Sequence, residues 1–516
     1  MGSSAEGHPL TARRAWVAIA VVLAAAGVGV RAGELGVFGF SNDEAWVALA
    51  TRVEGFRQFW MAIVMTPVAW ALLVKGVSLV HVSEAALRSV PFVFGCATLW
   101  IAYRAGRRFA GHPLGGVLAL AAVAFDPLAV AYAKILKQYT AETFFCLLAL
   151  DRAAVYAQTR TRGDLVRLAA VLALGLCFAN AQLFVAPAVL AALVLDALLR
   201  REYRVTRELL ITAAIVGLWD VGYYVLLVAP RLPGAADSYW RMQQYLPVAP
   251  VAARIAWERL AWTLGPALGP STLVVSLVVF GTGCLQRRQR VIATALLLLV
   301  LEIVGLSMLG LVPVSQPRIL LFLTTTLAAF AAAAVGGVVA RAWARPALGM
   351  VATIVLAFLA RDFVAAHQWR RLYSNIFVED AGPLVRLAEE QRRSDEVLLL
   401  HVKTLFIYGY YQRAVPRLVP WRGVSTGYLP RLADPAVAVF DERTLAAKLA
   451  AALPAHPRAW LLASRLPRAD ELRFRQVLAR FGTIVREERR RSAFLLLIES
   501  RAGKPARSVN PPVNPS

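Results

Sequence analysis

Two carboxylates stand side by side at Asp43-Glu44, in the run Phe38-Gly39-Phe40-Ser41-Asn42-Asp43-Glu44, just beyond the first long apolar segment. Adjacent carboxylates at a membrane face are costly unless water, a metal ion or a substrate meets them. A carboxylate placed there can serve as general base toward a hydroxyl or an amine. Two later stretches offer its chemical counterpart. Lys134, Lys137, Gln138, Tyr139 and Glu142 crowd one end of an apolar hairpin, and Gln316 and Arg318 lie in the short connection 313–318. Lysine and arginine can hold a phosphate leaving group and stabilise its developing charge. Asn180, Gln182 and Asp220 are further polar residues at the ends of apolar segments. An acid set against several cations suits transfer of a group from a phosphate-linked donor whose lipid tail stays in the bilayer.

Each residue also has a purely structural use. Asp43 and Glu44 can be first-turn acids of a helix begun at Ser41 or Asn42. Lys134 and Lys137 can snorkel to the interface, and Tyr139 can be an interfacial aromatic. Glu142 can pair with Lys134 or Lys137, although neither stands at the three- or four-residue spacing that favours helix pairs. Arg318 can be a stop-transfer charge, although a lone basic residue on the outer side runs against the topological bias. The cluster points to chemistry more strongly than any one of its members.

The elements that must position these groups are membrane spans. Of 516 residues, 59% are hydrophobic and 17% charged, against roughly a quarter charged in soluble domains. A span needs about 20 mostly apolar residues, and Trp16–Val30, Val117–Ala133, Leu209–Val228, Val291–Val312 and Ile319–Ala340 are among the candidates. The formal charge of +24 does not imply nucleic acid. The arginines fall in short clusters between apolar runs, as cytoplasmic loops do, and no zinc-finger or RNA-binding signature accompanies them. Cys96, Cys146, Cys177 and Cys284 lie in apolar segments without metal-ligand spacing. Trp16–Val30 reads as a retained first helix, not a removed signal peptide.

Charge orients the spans. Arg13-Arg14 stay cytoplasmic, which puts the Asp43-Glu44 loop outside. Trp60–Val80, apolar but carrying Pro67 and Lys75, reads as a helix lying at or dipping into the outer face. With that choice the arginine clusters at 104–108, 152–162, 200–207, 287–290 and 341–345 all fall on one side. The expectation is an α-helical polytopic membrane protein of about eleven spans with its C-terminus outside. Residues 1–361 form the membrane domain and 362–502 an extracytoplasmic α/β domain, with a disordered tail at 503–516. In the α/β domain, Glu396–His401, Val437–Phe440, Ala459–Ala463 and Ala493–Ile498 predict strands. Pro383–Arg393, Glu442–Ala451 and Asp470–Arg480 predict helices.

These residues occur in an order that resembles the polyprenyl-phosphate-sugar-dependent glycosyltransferases of the GT-C fold. That group includes protein O-mannosyltransferases and the aminoarabinose transferases acting on lipid A. The resemblance covers roughly 15–340 and is strongest over 38–145. It rests on Asp43-Glu44, Thr66-Pro67-Val68-Ala69-Trp70, Ser83 to Pro91, Gly106 to Gly111, Pro127 to Tyr139, and Pro317-Arg318. Where the family often has His-Pro-Pro, Arg-x-Tyr and Arg-Tyr, this chain has Met65-Thr66-Pro67, Lys137-Gln138-Tyr139 and Arg318-Ile319. The last two keep the charge.

The resemblance implies an inverting transferase in which Asp43 activates the acceptor and Glu44 assists. Lys134, Lys137, Tyr139 and Arg318 would hold the donor phosphate, and Pro67, Gln138, Glu142 and Gln316 would line the pocket. The implied partners are a polyprenyl-phosphate-linked sugar, a lipid, glycan or protein acceptor, and the plasma (inner) membrane. A divalent ion beside Asp43 and Glu44 is compatible with this, but no ligand set demands one. A transporter or flippase is the alternative of another class; it would show repeated halves and broken mid-membrane helices, and neither is evident. A polymerase or ligase for undecaprenyl-linked glycans would place its key residues in a large late loop, for which 230–270 offers Arg231, Asp237, Tyr239 and Arg241.

Overall fold

The computed structural model describes residues 10–63, 66–229, 289–312, 318–343, 349–350, 353, 357, 379–420, 428–432 and 434–500. These fall into two compact units. One holds the described residues up to 36 and from 63 to 357; the other holds 37–62 together with 379–420 and 428–500. The expected boundary at 361 therefore misses one segment. Residues 37–62, which carry the acidic pair, belong to the same compact unit as the C-terminal part of the chain.

The first unit is helical: α1 (Leu10–Ala32), α4 (Val68–Val80), α5 (Glu84–Ala110), α6 (Pro113–Ala124), α7 (Pro127–Tyr132), α8 (Tyr139–Thr159), α9 (Arg162–Phe178), α10 (Gln182–Leu199), α11 (Tyr203–Tyr223), α12 (Arg290–Met308) and α13 (Leu321–Ala342). Six helices among the described residues are long and apolar enough to cross a membrane: α1, α5, α10, α11 with the π-turn after it, α12 and α13. The protein is a multi-pass membrane protein. The stretch expected as one interfacial helix, Trp60–Val80, is interrupted. Pro67 precedes the 13-residue α4 as its N-cap, because proline has no N–H to give a helix interior.

Small residues let the helices approach closely, the usual packing device in membranes. A methyl group added to Gly115 would come within 2.1 Å of Ala110 Cβ, and one on Gly336 within 2.7 Å of the Gly115 backbone. At one end of the bundle the basic clusters share acids. Asp151 pairs with Arg104 at 3.0 Å, with Arg152 at 2.7 Å, and with Arg108. Asp196 pairs with Arg200 at 3.0 Å and with Arg160. Clusters far apart in sequence thus lie at the same end, as their charge predicted.

The second unit contains α2 (Asn42–Arg52), α3 (Phe56–Ala62), α14 (Gly382–Gln391), α15 (Leu405–Tyr411), α16 (Leu445–Ala452) and α17 (Arg468–Phe481). Its sheet has the order β4-β1-β5-β7-β6, formed by β1 (Val397–His401), β4 (Val437–Phe440), β5 (Arg458–Ser464), β6 (Gly482–Arg490) and β7 (Ala493–Ser500). β1 runs parallel to β4 and β5, and β7 is antiparallel to β5 and β6. β2 (Arg417–Pro420) and β3 (Tyr428–Arg431) form a separate antiparallel pair.

The four expected strands and three expected helices are all present. β6 escaped sequence reading because Arg486, Glu487, Glu488 and Arg489 make it look like a loop. It is an edge strand, and charge on an edge blocks unwanted pairing. The core of the unit is built from Leu399, Leu461, Leu496, Phe440, Phe474 and their neighbours.

Candidate active site

The acidic pair opens α2. Ser41 is its N-cap and Asn42, Asp43 and Glu44 its first turn, where the helix dipole favours acids. The structural use foreseen for Glu44 is the one observed. Its Oε2 accepts from both the backbone N–H and the hydroxyl of Ser41, each at 3.0 Å, and the side chain is buried. This is the carboxylate half of a capping box. Asp43 stays partly exposed.

The run leading into α2 is gripped by side chains distant in sequence. The Gly39 N–H donates to Asp380 Oδ1 and the Phe40 N–H to the Tyr411 hydroxyl, each at 2.8 Å. The Asn42 N–H donates to Glu379 Oε2 at 3.3 Å. Glu379 Oε2 also accepts from the Ser464 hydroxyl at 3.5 Å, and Arg465 Nε lies 2.8 Å from Oε1. Ser464 and Arg465 stand at the carboxyl end of β5, the edge where side chains in parallel sheets gather to form sites. Burial pushes the Glu379 carboxyl up to about 7, against the pull of Arg465 and Asn42, and Asp43 and Glu44 add to the rise. Three carboxylates of one unit therefore sense one another.

Sequence reasoning missed Glu379, Asp380, Tyr411 and Arg465. The signal was weak: Glu379-Asp380 is the first of six adjacent acidic pairs in the C-terminal part of the chain, and nothing local sets it apart from the other five.

In the first unit, the turn between α7 and α8 carries the expected cations. Lys134 and Lys137 are buried, as are Gln138 and Glu142. Burial lowers the Lys134 ammonium, offset by the charge of Glu34, with Arg31 adding to the fall. The backbone N–H of Asn180 bonds to Glu142. Tyr139 starts α8 and meets Tyr132 edge-on at 5.1 Å. Asp126 caps α7, accepting from Leu128 N at 2.9 Å, and takes the Thr325 hydroxyl at 2.7 Å on its other oxygen. Arg31 donates to the carbonyls of Ala124 and Val123, both at 2.8 Å, closing the C-terminal end of α6.

Both Arg31 and Asp126 help frame the α7–α8 turn and neither was singled out from sequence. Gln182 is the first residue of α10 and is fully enclosed beside Gly175. Asp220 lies on α11 and is only partly buried. Arg318 precedes α13 and is partly buried. Gln316 and the loop 230–270 lie outside the described residues.

Among the described residues no group of three histidine, cysteine or carboxylate side chains could hold a metal ion. Glu44 and Glu379 already spend oxygens on Ser41, Asn42 and Arg465.

Residues 64–221 match the family of dolichyl-phosphate-mannose-protein mannosyltransferases. The fold is similar to that of ArnT from Cupriavidus metallidurans bound to undecaprenyl phosphate. The TM-score is 0.55 over 95% of this chain and 99% of that one, at 12% identity. It is also similar to the archaeal oligosaccharyltransferase AglB from Archaeoglobus fulgidus in complex with an inhibitory peptide and a dolichol-phosphate. Here the TM-score is 0.53 over 96% of this chain and 75% of that one, at 11% identity. No curated protein matches the chain by sequence. The fold is the GT-C fold of membrane glycosyltransferases.

Proposed function

We infer that the protein is an integral-membrane glycosyltransferase that takes a sugar from a polyprenyl-phosphate carrier and passes it to a hydroxyl or amine of a lipid, glycan or protein. The observation that carries this reading is the coincidence of the GT-C fold with the mannosyltransferase match over 64–221. A partly exposed carboxylate, Asp43, at the head of α2 supports it.

Asp43 takes the acceptor proton as the acceptor oxygen or nitrogen attacks the anomeric carbon. The bond from that carbon to the phosphate oxygen breaks, its electron pair leaves with the polyprenyl phosphate, and the configuration at carbon inverts. Lys137 and Arg318, with Lys134 and Tyr139, neutralise the phosphate as its charge grows. Such preorganised cations are commonly the largest source of rate. The reaction is assigned to the extracytoplasmic side of the plasma (inner) membrane, with the C-terminal unit on that side.

The test is transfer from radiolabelled undecaprenyl-phosphate-linked mannose, glucose and aminoarabinose in membranes carrying wild type or Asp43→Asn. Loss of the general base should lower transfer by about 10²- to 10⁴-fold while the protein stays in the membrane. Equal transfer by both proteins would remove Asp43 from the role of base.

A further inference from the structure

We propose that Asp380 and Tyr411 are positioning residues that hold Asp43 in its reactive place; this rests on the glycosyl-transfer reading above. The segment entering α2 could satisfy its backbone N–H groups with water. Instead Gly39 and Phe40 give theirs to Asp380 and Tyr411, 341 and 371 positions away in sequence, at 2.8 Å each. Asp43 follows within four residues, so those two bonds, with the weaker one from Asn42 to Glu379 at 3.3 Å, fix the path of the backbone from which its carboxylate leaves.

Each anchor is itself anchored. The Asp380 N–H donates to the Arg491 carbonyl at 3.0 Å. The Tyr411 ring lies against Gly382, where an added methyl would come within 2.6 Å of Cζ, and Arg386 stacks on it at 4.8 Å. Phe40 packs edge-on against Tyr410 at 5.2 Å. The far end of α2 is tied to the same strip of chain, since Arg52 donates to the carbonyls of Tyr410 and of Gln412, the latter at 2.8 Å. Gly39 fits because it has no side chain: a Cβ there would stand 3.3 Å from Asp380 Oδ1, from Gly382 N and from the Tyr411 hydroxyl. A helix pinned at both ends by locked side chains is how a scaffold keeps a reactive group within a fraction of an ångström. A displacement of about 1 Å is enough to cost on the order of 10²-fold in rate.

The experiment compares wild type with Asp380→Ala, Asp380→Asn, Tyr411→Phe and Asp43→Asn in the full-length purified protein. Transfer from the labelled donors is read as kcat and KM, and backbone hydrogen exchange is followed over residues 38–44. Asp380→Ala and Tyr411→Phe should lower kcat about 10- to 100-fold with the donor KM little changed. Both should speed exchange at 38–44 and leave α5 unaffected.

Asp380→Asn keeps a carbonyl oxygen to accept from Gly39, so it should recover most of the lost rate and all of the protection. Wild-type kcat and unaltered exchange in Tyr411→Phe or Asp380→Ala would overturn the proposal. Full transfer by Asp43→Asn would instead overturn the assignment of the base, while exchange still decides whether the clamp exists. If Asp380→Ala does not accumulate in the membrane, Tyr411→Phe decides alone.

Discussion

Arg465 Nε lies 2.8 Å from Glu379 Oε1, while the other oxygen of the same carboxylate receives the Asn42 N–H. One buried acid thus joins the carboxyl end of β5 to the first turn of α2. It sits in an unfavourable place for a charge. Burial holds its titration near 7, and Asp43 and Glu44 oppose its ionisation further.

A pH signature follows. The folded-state value of Glu379 lies above its ordinary value of 4.5. Its contribution to stability is therefore complete below about pH 4.5 and lost as pH rises through about 7, a change on the order of 3 kcal/mol. Glu379→Gln cannot ionise and should not share that loss. The melting temperature of the variant relative to wild type should rise from pH 5 to pH 8. A difference that does not vary with pH would show that this carboxyl titrates normally.

The α5–α6–α13 contact should be intolerant of added volume. Gly115→Ala places a methyl 2.1 Å from Ala110 Cβ and 3.0 Å from the Ala333 carbonyl, so neighbouring backbone must move. The expected loss is about 1–3 kcal/mol. Gly163→Ala, at the start of α9, meets nothing within 4 Å and should be neutral to within about 0.5 kcal/mol. Thermal unfolding of the two variants in detergent checks the contrast. Similar melting temperatures would mean that the helices are not so closely packed.

Sidedness can be read with single cysteines at exposed positions. Ser41 is buried and makes a poor reporter, whereas Glu54 and Arg204 are exposed. In intact cells an impermeant maleimide should label Glu54→Cys and not Arg204→Cys, with the second labelled only after lysis. The reverse pattern would turn the protein over in the membrane.

Lys137 is assigned to the donor phosphate. Removing a preorganised cation from a developing anion typically costs about 10²- to 10³-fold. Lys137→Gln should lower kcat/KM for an undecaprenyl-phosphate sugar by that order, and weaken binding of undecaprenyl phosphate itself. Lys137→Arg should recover part of both. Unchanged binding in Lys137→Gln would move the phosphate elsewhere.

Much of the architecture was legible in local sequence. Long apolar runs marked the helices, because a bilayer leaves few ways to satisfy a backbone. The buried strands Val397–His401, Val437–Phe440 and Arg458–Ser464 were visible as continuous apolar runs, as strands covered on both faces are. Arginine clusters near 104, 152, 160 and 200 announced that they share one end of the bundle, and Asp151 and Asp196 bind them together there. The charged edge strand β6 was illegible because its alternation is one of charge against partial burial, not of apolar against polar.

Sequence by itself determined that this chain is a membrane protein, where its apolar helices run, and which carboxylates and lysines are candidates for chemistry. These follow from composition and local order, which the solvent reads directly. Only the tertiary structure decided that Glu44 is buried against Ser41 while Asp43 stays partly exposed. It also decided that residues 37–62 belong with the C-terminal unit, and that Asp380, Tyr411 and Glu379 grip the turn before Asp43. The physical reason is that those bonds join backbone N–H groups to side chains more than 330 positions away. A backbone N–H is the same at every residue, so nothing in the letters of the sequence marks which distant oxygen will receive it.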